Sequence, residues 1–401
     1  MSENNNEVIE NKEENKLLAI VSLVLLSFAL GTSEFIVIGV LTEIAESFNI
    51  TEVKAGGLVS MFALAYSICT PFSAAIAGKF NRFNFIIFAG ILFIIFNFLC
   101  SLANDYLFLL ILRMIIAIIS GALISVSISF SPYISTKEKR PMVVAWIYSG
   151  FSIASIFGVP IGTTLSYYFG WRSSFVFISI FSAVMVILMF MTLPRNTVTH
   201  KVKLIGQFIL FKDSRFILST FTILFGAASS YVLYTYLKPI FLDYVHIPNK
   251  YISIALLIFG VTVLFSNLFS GKLAENNGVY RLRFVFMLQF LCMIVLPFAL
   301  LNYVSASVVI LIIGFLMYLM NSPVQLNILN FTERDYPACL ILASSNNSFS
   351  FNFGIALGSF VGSSIFDNFG IRWVGLGGAV LSVLAFLCIV MLYNINLKKL
   401  N

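Results

Sequence analysis

Charge is scarce in this sequence: Asp, Glu, Lys and Arg make up only 10% of 401 residues, and histidine occurs twice. The two histidines, His200 and His246, fall in separate loops, and no Gly-rich loop followed by lysine is present to cradle a nucleotide. With no reactive constellation, the chain reads as a non-enzyme without metal or cofactor. The five cysteines, Cys69, Cys100, Cys292, Cys339 and Cys388, stand singly in apolar runs, which excludes a disulfide framework and a thiolate metal site. Period-two alternation is missing too, so an outer-membrane barrel is excluded. Residues 1–16, "MSENNNEVIENKEENK", lack a basic n-region and so do not read as a signal peptide; their polarity predicts a disordered tail.

What the sequence has is apolar length. Hydrophobic residues make up 60% of the chain, phenylalanine occurs 43 times, and the mean hydropathy is +0.99. Twelve runs are long enough to span a bilayer, at roughly 17–41, 56–78, 84–103, 106–132, 142–168, 173–193, 215–242, 251–274, 283–301, 304–330, 338–366 and 373–396. The fold class is therefore an all-α polytopic membrane protein, with the lipid bilayer as its first partner. Eighteen of the 24 Lys and Arg residues fall in the segments that are cytoplasmic if the N terminus is inside, and five fall in the opposite loops. That asymmetry predicts cytoplasmic termini and assigns the net charge of +7 to a membrane-facing inner surface, with no need for a nucleic-acid partner.

The longest inner loop, residues 194–214, divides the chain into a six-helix bundle at 17–193 and another at 215–396, with a short tail at 397–401. The halves repeat. "FGVPIGTTLSYYFGWR" from Phe157 lies 200 residues before "LGSFVGSSIFDNFGIR" from Leu357, with Gly158, Gly162, Gly170 and Arg172 opposite Gly358, Gly362, Gly370 and Arg372. Two parallel six-helix pseudo-repeats are the architecture of an alternating-access transporter.

These residues resemble the major facilitator superfamily over essentially the whole chain after the tail. "GKLAENNGVYR", Gly271 to Arg281, is similar to that superfamily's loop between the second and third helices of a half, with Glu275 in the acidic place and Gly271 and Gly278 as its glycines. The first-half copy, "AGKFNRFNF", keeps Gly78 without an acidic residue. "GFSIASIFGVPIG", with Gly150, Gly158, Pro160 and Gly162, resembles the fifth-span motif of proton-coupled exporters of the drug:proton antiporter-1 type, in the variant of a bacterial branch exporting purines, arabinose polymers and other sugars. The resemblance implies a monomeric multi-pass protein of the bacterial cytoplasmic membrane that exports a small organic solute in exchange for protons. A multidrug or antibiotic antiporter is the alternative, and an uptake symporter stands behind it.

Sorting the charges by position leaves two well inside the hydrocarbon, Glu34 on the first span and Arg113 on the fourth. Each lies seven residues from one end of its run, so both sit at about 10 Å depth. A mid-membrane charge costs about 2.5–3.5 kcal/mol, so each should face the protein interior and seek a partner. Burial favours the neutral acid and a neighbouring guanidinium favours the carboxylate, which makes the pair the predicted proton-coupling site. The alternative is a fixed ion pair, or a permanently protonated Glu34, that only holds the two spans together.

The second half has no such charges, and Ser229 takes the place of Glu34 when Gly226 is aligned with Gly31. Tyr231 and Tyr234 on the seventh span, Asn321 and Gln325 on the tenth, and Asn347 and Asn352 on the eleventh supply rings and amides suited to a neutral, hydrogen-bonding solute such as a purine, nucleoside or sugar. Interhelical glue is the competing use of such amides.

Overall fold

The computed structural model describes residues 2–77, 80–136, 140–195, 205–275, 277–336 and 339–400. Its helices are α1 (Ser2–Gly39), α2 (Leu41–Ser47), α3 (Glu52–Ala77), α4 (Arg82–Ser101), α5 (Tyr106–Ser129), α6 (Ser131–Ile134), α7 (Arg140–Phe169), α8 (Arg172–Thr192), α9 (Ser214–Tyr234), α10 (Leu237–Asp243), α11 (Ile252–Glu275), α12 (Gly278–Ala299), α13 (Tyr303–Leu316), α14 (Asn321–Asp335), α15 (Leu340–Phe369) and α16 (Val374–Leu400). Among the described residues, twelve stretches are long and apolar enough to cross a membrane. Polar caps punctuate them: Asn81 accepts from Phe83 N at 2.9 Å to start α4, and Asp105 accepts from Phe108 N at 2.9 Å to start α5. The polar stretch expected to be disordered is instead helical from Ser2 onward, because extending an existing helix is far easier than nucleating one.

The chain forms two compact units. One holds residues 1–36 and 68–202, the other residues 37–67 and 203–401. The stretch 37–67, read from the sequence as part of the first bundle, is thus grouped with the second-half helices.

In the first unit α4 packs against α5 and α8, and α7 crosses α1 on a stripe of small residues. A Cβ at Gly158 would meet Thr32 Oγ1 at 2.9 Å, and one at Gly31 would meet the Ala154 methyl at 2.7 Å. In the second unit α9 is the central helix, held between α15 and α16. A Cβ at Gly354 would meet Leu224 O at 2.5 Å, and one at Gly358 would meet the Ala228 Cα at 2.9 Å. The same close helix approach is built twice. Gly158 lies on Thr32 and Gly358 on Ala228, so the contacts align Glu34 with Ser230, one residue past the Ser229 that glycine matching selects.

The repeat extends to the helix ends. Gly170 and Gly370 close α7 and α15 with φ of 79° and 87°, a conformation that glycine adopts without strain. The arginines that follow play matching parts: Arg172 donates to Ala103 O at 2.8 Å and Arg372 to Pro297 O at 2.8 Å, each tying the next helix to the end of the third helix of its half.

Three predicted spans are interrupted: 106–132 by the step from α5 to α6, 215–242 by the step from α9 to α10, and, most widely, 304–330. The run at 304–330 is two helices, α13 and α14, separated by residues 317–320. Freed main-chain groups inside a membrane need partners, and α11 supplies them. Tyr318 N donates to Ser266 Oγ at 2.9 Å, and Ser322 N donates to Ser270 Oγ at 2.8 Å.

Candidate functional site

Glu34 on α1 is 6% exposed and Arg113 on α5 is fully buried. The two are brought together, but through the backbone. Arg113 Nη1 donates to the Ser33 carbonyl, and Nη2 donates to the Glu34 carbonyl at 3.1 Å. Among the described residues no ion pair joins the Glu34 carboxylate to the guanidinium. The forked guanidinium matches two successive carbonyls, and its charge is compensated by main-chain dipoles. Arg113 is thus held by the α1 backbone at the residue that carries the Glu34 carboxyl.

A third helix steadies this point. Ser33 Oγ donates to Asn97 Oδ1 at 2.9 Å, while Asn97 Nδ2 donates to Phe93 O of its own helix at 2.9 Å. The same three-helix logic recurs in the second unit, where Gln289 Nε2 donates to Ser230 Oγ at 2.9 Å and Ser229 Oγ donates to Gly378 O at 2.8 Å. There the site is serine and amide only, which agrees with the sequence finding that the second half carries no counterpart of either charge.

The glycine and proline residues of the fifth-span motif lie along the same first-unit helix pair. Gly150, Gly158 and Gly162 face α1 at Val24, Thr32 and Ile36, and Pro160 sits inside α7 with its carbonyl accepting from Thr164 Oγ1 at 2.8 Å. Of the loop residues, Gly278 is packed against Pro323, a Cβ there meeting Pro323 Cβ at 2.7 Å. Gly271 faces open space and Glu275 is exposed; Gly78 lies outside the described residues.

In the second unit the rings form a connected wall. Tyr231 and Tyr234 meet edge to face at 5.3 Å, Tyr231 meets Phe351 at 5.9 Å, Tyr234 stacks on Phe259 at 5.3 Å, and Tyr318 stacks on Phe351 at 5.1 Å. The amides separate into two kinds. Asn346 accepts from Thr220 Oγ1 at 2.9 Å and Asn327 accepts from Asn396 Nδ2 at 2.8 Å, so these are interhelical ties, although each keeps a buried Nδ2 without a hydrogen-bond partner among the described residues. Asn321, Asn347 and Asn352 each keep a buried carbonyl oxygen without a hydrogen-bond partner among the described residues. Gln325 donates to Ala343 O at 3.3 Å.

Sequence reasoning missed two buried cations. Arg215 and Lys238, which position along the chain assigns to interfaces, are 2% and 1% exposed. Arg215 Nη2 pairs with Asp213 and Asp335, each at 2.6 Å, over the Phe331 ring. Lys238 Nζ pairs with the Glu43 carboxylate and donates to Gly39 O at 3.0 Å. The signal for Lys238 was available, since it stands between apolar residues in "YLKPIF".

The sequence matches the family profile of the Major Facilitator Superfamily over residues 23–338. The chain belongs to that superfamily. It is a multi-pass membrane transporter acting on small-molecule substrates, and not an enzyme. Its relatives in this superfamily include the MFS-type transporter YtbD of Bacillus subtilis strain 168, 28% identical over 90% of this chain and 92% of that one. The inner membrane transport protein YdhP of Escherichia coli strain K12 is 26% identical over 93% and 95%. The fold is similar to that of a bacterial homolog of the human lysosomal transporter Spinster in its inward-facing, occupied conformation, with a TM-score of 0.78 at 16% identity over 94% of this chain and 97% of that one.

Proposed function

We propose that this superfamily member is a proton-coupled exporter of a small neutral solute, working by alternating access with both termini in the cytoplasm of a bacterial cell. The observation that carries the coupling reading is the Arg113 guanidinium held by the Ser33 and Glu34 carbonyls. With the cation anchored to the backbone, the nearby Glu34 carboxyl can gain or lose a proton without dismantling the junction of α1 and α5. A coupling group needs that freedom, and a purely structural ion pair does not have it. The glycine stripe between α1 and α7 supports the same reading, since small residues keep a helix interface close yet able to slide.

The solute is read from the second unit, where Tyr231, Tyr234, Asn321, Gln325, Asn347 and Asn352 supply rings and amides rather than charge. The Phe259 and Phe351 rings beside those tyrosines favour one rival, an exporter of amphipathic drugs. Proteoliposomes with an imposed pH gradient decide the coupling. The protein should accumulate solute against its gradient and Glu34→Gln should not, while Glu34→Gln should still exchange labelled for unlabelled solute at equal pH. Uphill transport by Glu34→Gln would remove the coupling role.

A further inference from the structure

Two apolar furrows run side by side on the exposed surface of the second unit. The first lies between α15 and α16, with Ile365 and Phe369 on one bank and Trp373 on the other, and holds about 330 Å³. Its floor is Gly377, where a Cβ would meet Ile365 Cδ1 at 2.5 Å, so the two helices approach too closely for a side chain to fill the gap. The second lies between α16 and α12, beside Phe290 and Ile294, and holds about 360 Å³. Leu376 and Val380 border both furrows and stand between them as a ridge, 43% and 62% exposed. From Trp373 to Leu384 the furrows extend about 16 Å at 1.5 Å per residue, about half of a 30 Å hydrocarbon core, so they cover one leaflet.

One charge stands at the upper end of both. The Arg372 guanidinium lies 5.6 Å from the Trp373 ring beside the first furrow, and its Nε donates to Pro297 O, three residues past Ile294 of the second. Its terminal nitrogens have no hydrogen-bond or carboxylate partner among the described residues, whereas Arg172 of the first half uses Nη2 on Ala103 O. Asp367, the carboxylate nearest in sequence, is two residues from both Ile365 and Phe369 and so lies on the opposite side of α15 from the first furrow. Lipid tails are as apolar as the furrow walls, so burying a tail here selects nothing by itself. The arginine selects: its fork fits phosphate oxygens, and an anionic headgroup brings no ammonium to oppose it. Two furrows below one guanidinium match two tails below one phosphate. We infer that this face binds an anionic diacyl phospholipid, its phosphate on Arg372 and its two acyl chains straddling the Leu376–Val380 ridge. Such binding is independent of the solute and of proton coupling.

The test is quenching of Trp373 fluorescence by chain-brominated phospholipids, on the full-length protein in phosphatidylcholine bilayers. Trp146→Phe and Trp171→Phe leave Trp373 as the sole tryptophan. Brominated phosphatidylglycerol should quench half-maximally at about fivefold lower mole fraction than brominated phosphatidylcholine, the preference that one basic group gives an anionic lipid. Arg372→Gln should bring the two curves together, and Arg372→Lys should keep part of the preference. Unbrominated phosphatidylglycerol should displace the brominated lipid better than its single-chain lyso form does, and millimolar inorganic phosphate should displace none. The melting temperature checks that Arg372→Gln folds, and the ratio on the protein with Arg372 intact stands as a test by itself. Coincident curves with Arg372 intact, a full preference kept by Arg372→Gln, equal displacement by the lyso form, or displacement by inorganic phosphate would overturn the inference.

Discussion

The Arg113 guanidinium donates to the main-chain carbonyl of Glu34 at 3.1 Å, and its other terminal nitrogen donates to the carbonyl of Ser33. A fork spans two carbonyls, whereas an ammonium is a point charge. Arg113→Lys should therefore keep the charge and lose the geometry. The expected outcome is a fall of at least about tenfold in gradient-driven transport with the protein still inserted and folded, equal to about 1.4 kcal/mol. Transport at the original rate in proteoliposomes would show that charge alone suffices.

The two matching helix crossings differ in what stands across from the glycine. Gly158 faces the Thr32 side chain, Oγ1 at 2.9 Å, whereas Gly358 faces the Ala228 main chain, with its Cα and carbonyl carbon each at 2.9 Å. A threonine hydroxyl can turn aside and a helix backbone cannot. Gly358→Ala should cost about 1–3 kcal/mol of stability by overpacking and Gly158→Ala less. Melting temperatures of the two variants in detergent give the order directly.

Lys238 and Glu43 form an ion pair between α10 and α2, with the lysine side chain 1% and the glutamate 21% exposed. Removing one partner strands a buried charge, whereas replacing both leaves none. Glu43→Met should be more damaging than the double substitution Glu43→Met with Lys238→Met, by about 1–3 kcal/mol once the partial exposure of Glu43 is allowed for. A double-mutant cycle on thermal stability measures the coupling, and additive losses would mean the pair contributes nothing beyond its parts.

At the break between α13 and α14, Ser266 and Ser270 satisfy the Tyr318 and Ser322 amides. Alanine at either serine leaves a main-chain N–H without its partner in apolar surroundings, at a cost of about 1–3 kcal/mol. Threonine keeps the hydroxyl and should restore most of the loss. If Ser270→Ala melts with the parent protein, the hydroxyl is not what stabilises the break.

Much of this was legible beforehand. The twelve spans follow from apolar length, because a helix in lipid must satisfy its own backbone and does so locally. Gly158, Gly162 and Gly370 were visible as repeats of one spacing, and the structure finds the first two at helix crossings and the third at a helix end. Glu34 and Arg113 were conspicuous because charge is rare in such runs. The sorting of the asparagines was not legible, since Asn346 and Asn347 are adjacent and of one type, yet one ties α15 to α9 and the other keeps an unmatched oxygen.

The sequence by itself determined the class of protein, the number of spans, the internal repeat and the two conspicuous charges, all of which depend on composition and spacing along the chain. Tertiary structure decided that Arg113 binds backbone, that α13 and α14 are separate, that Lys238 and Arg215 are buried with carboxylates, and that Glu34 aligns with Ser230. Each of these depends on which atom of a distant helix comes within about 3 Å, and hydrogen bonds weaken steeply beyond that distance. Periodicity records which face a residue occupies, and only packing decides what that face meets.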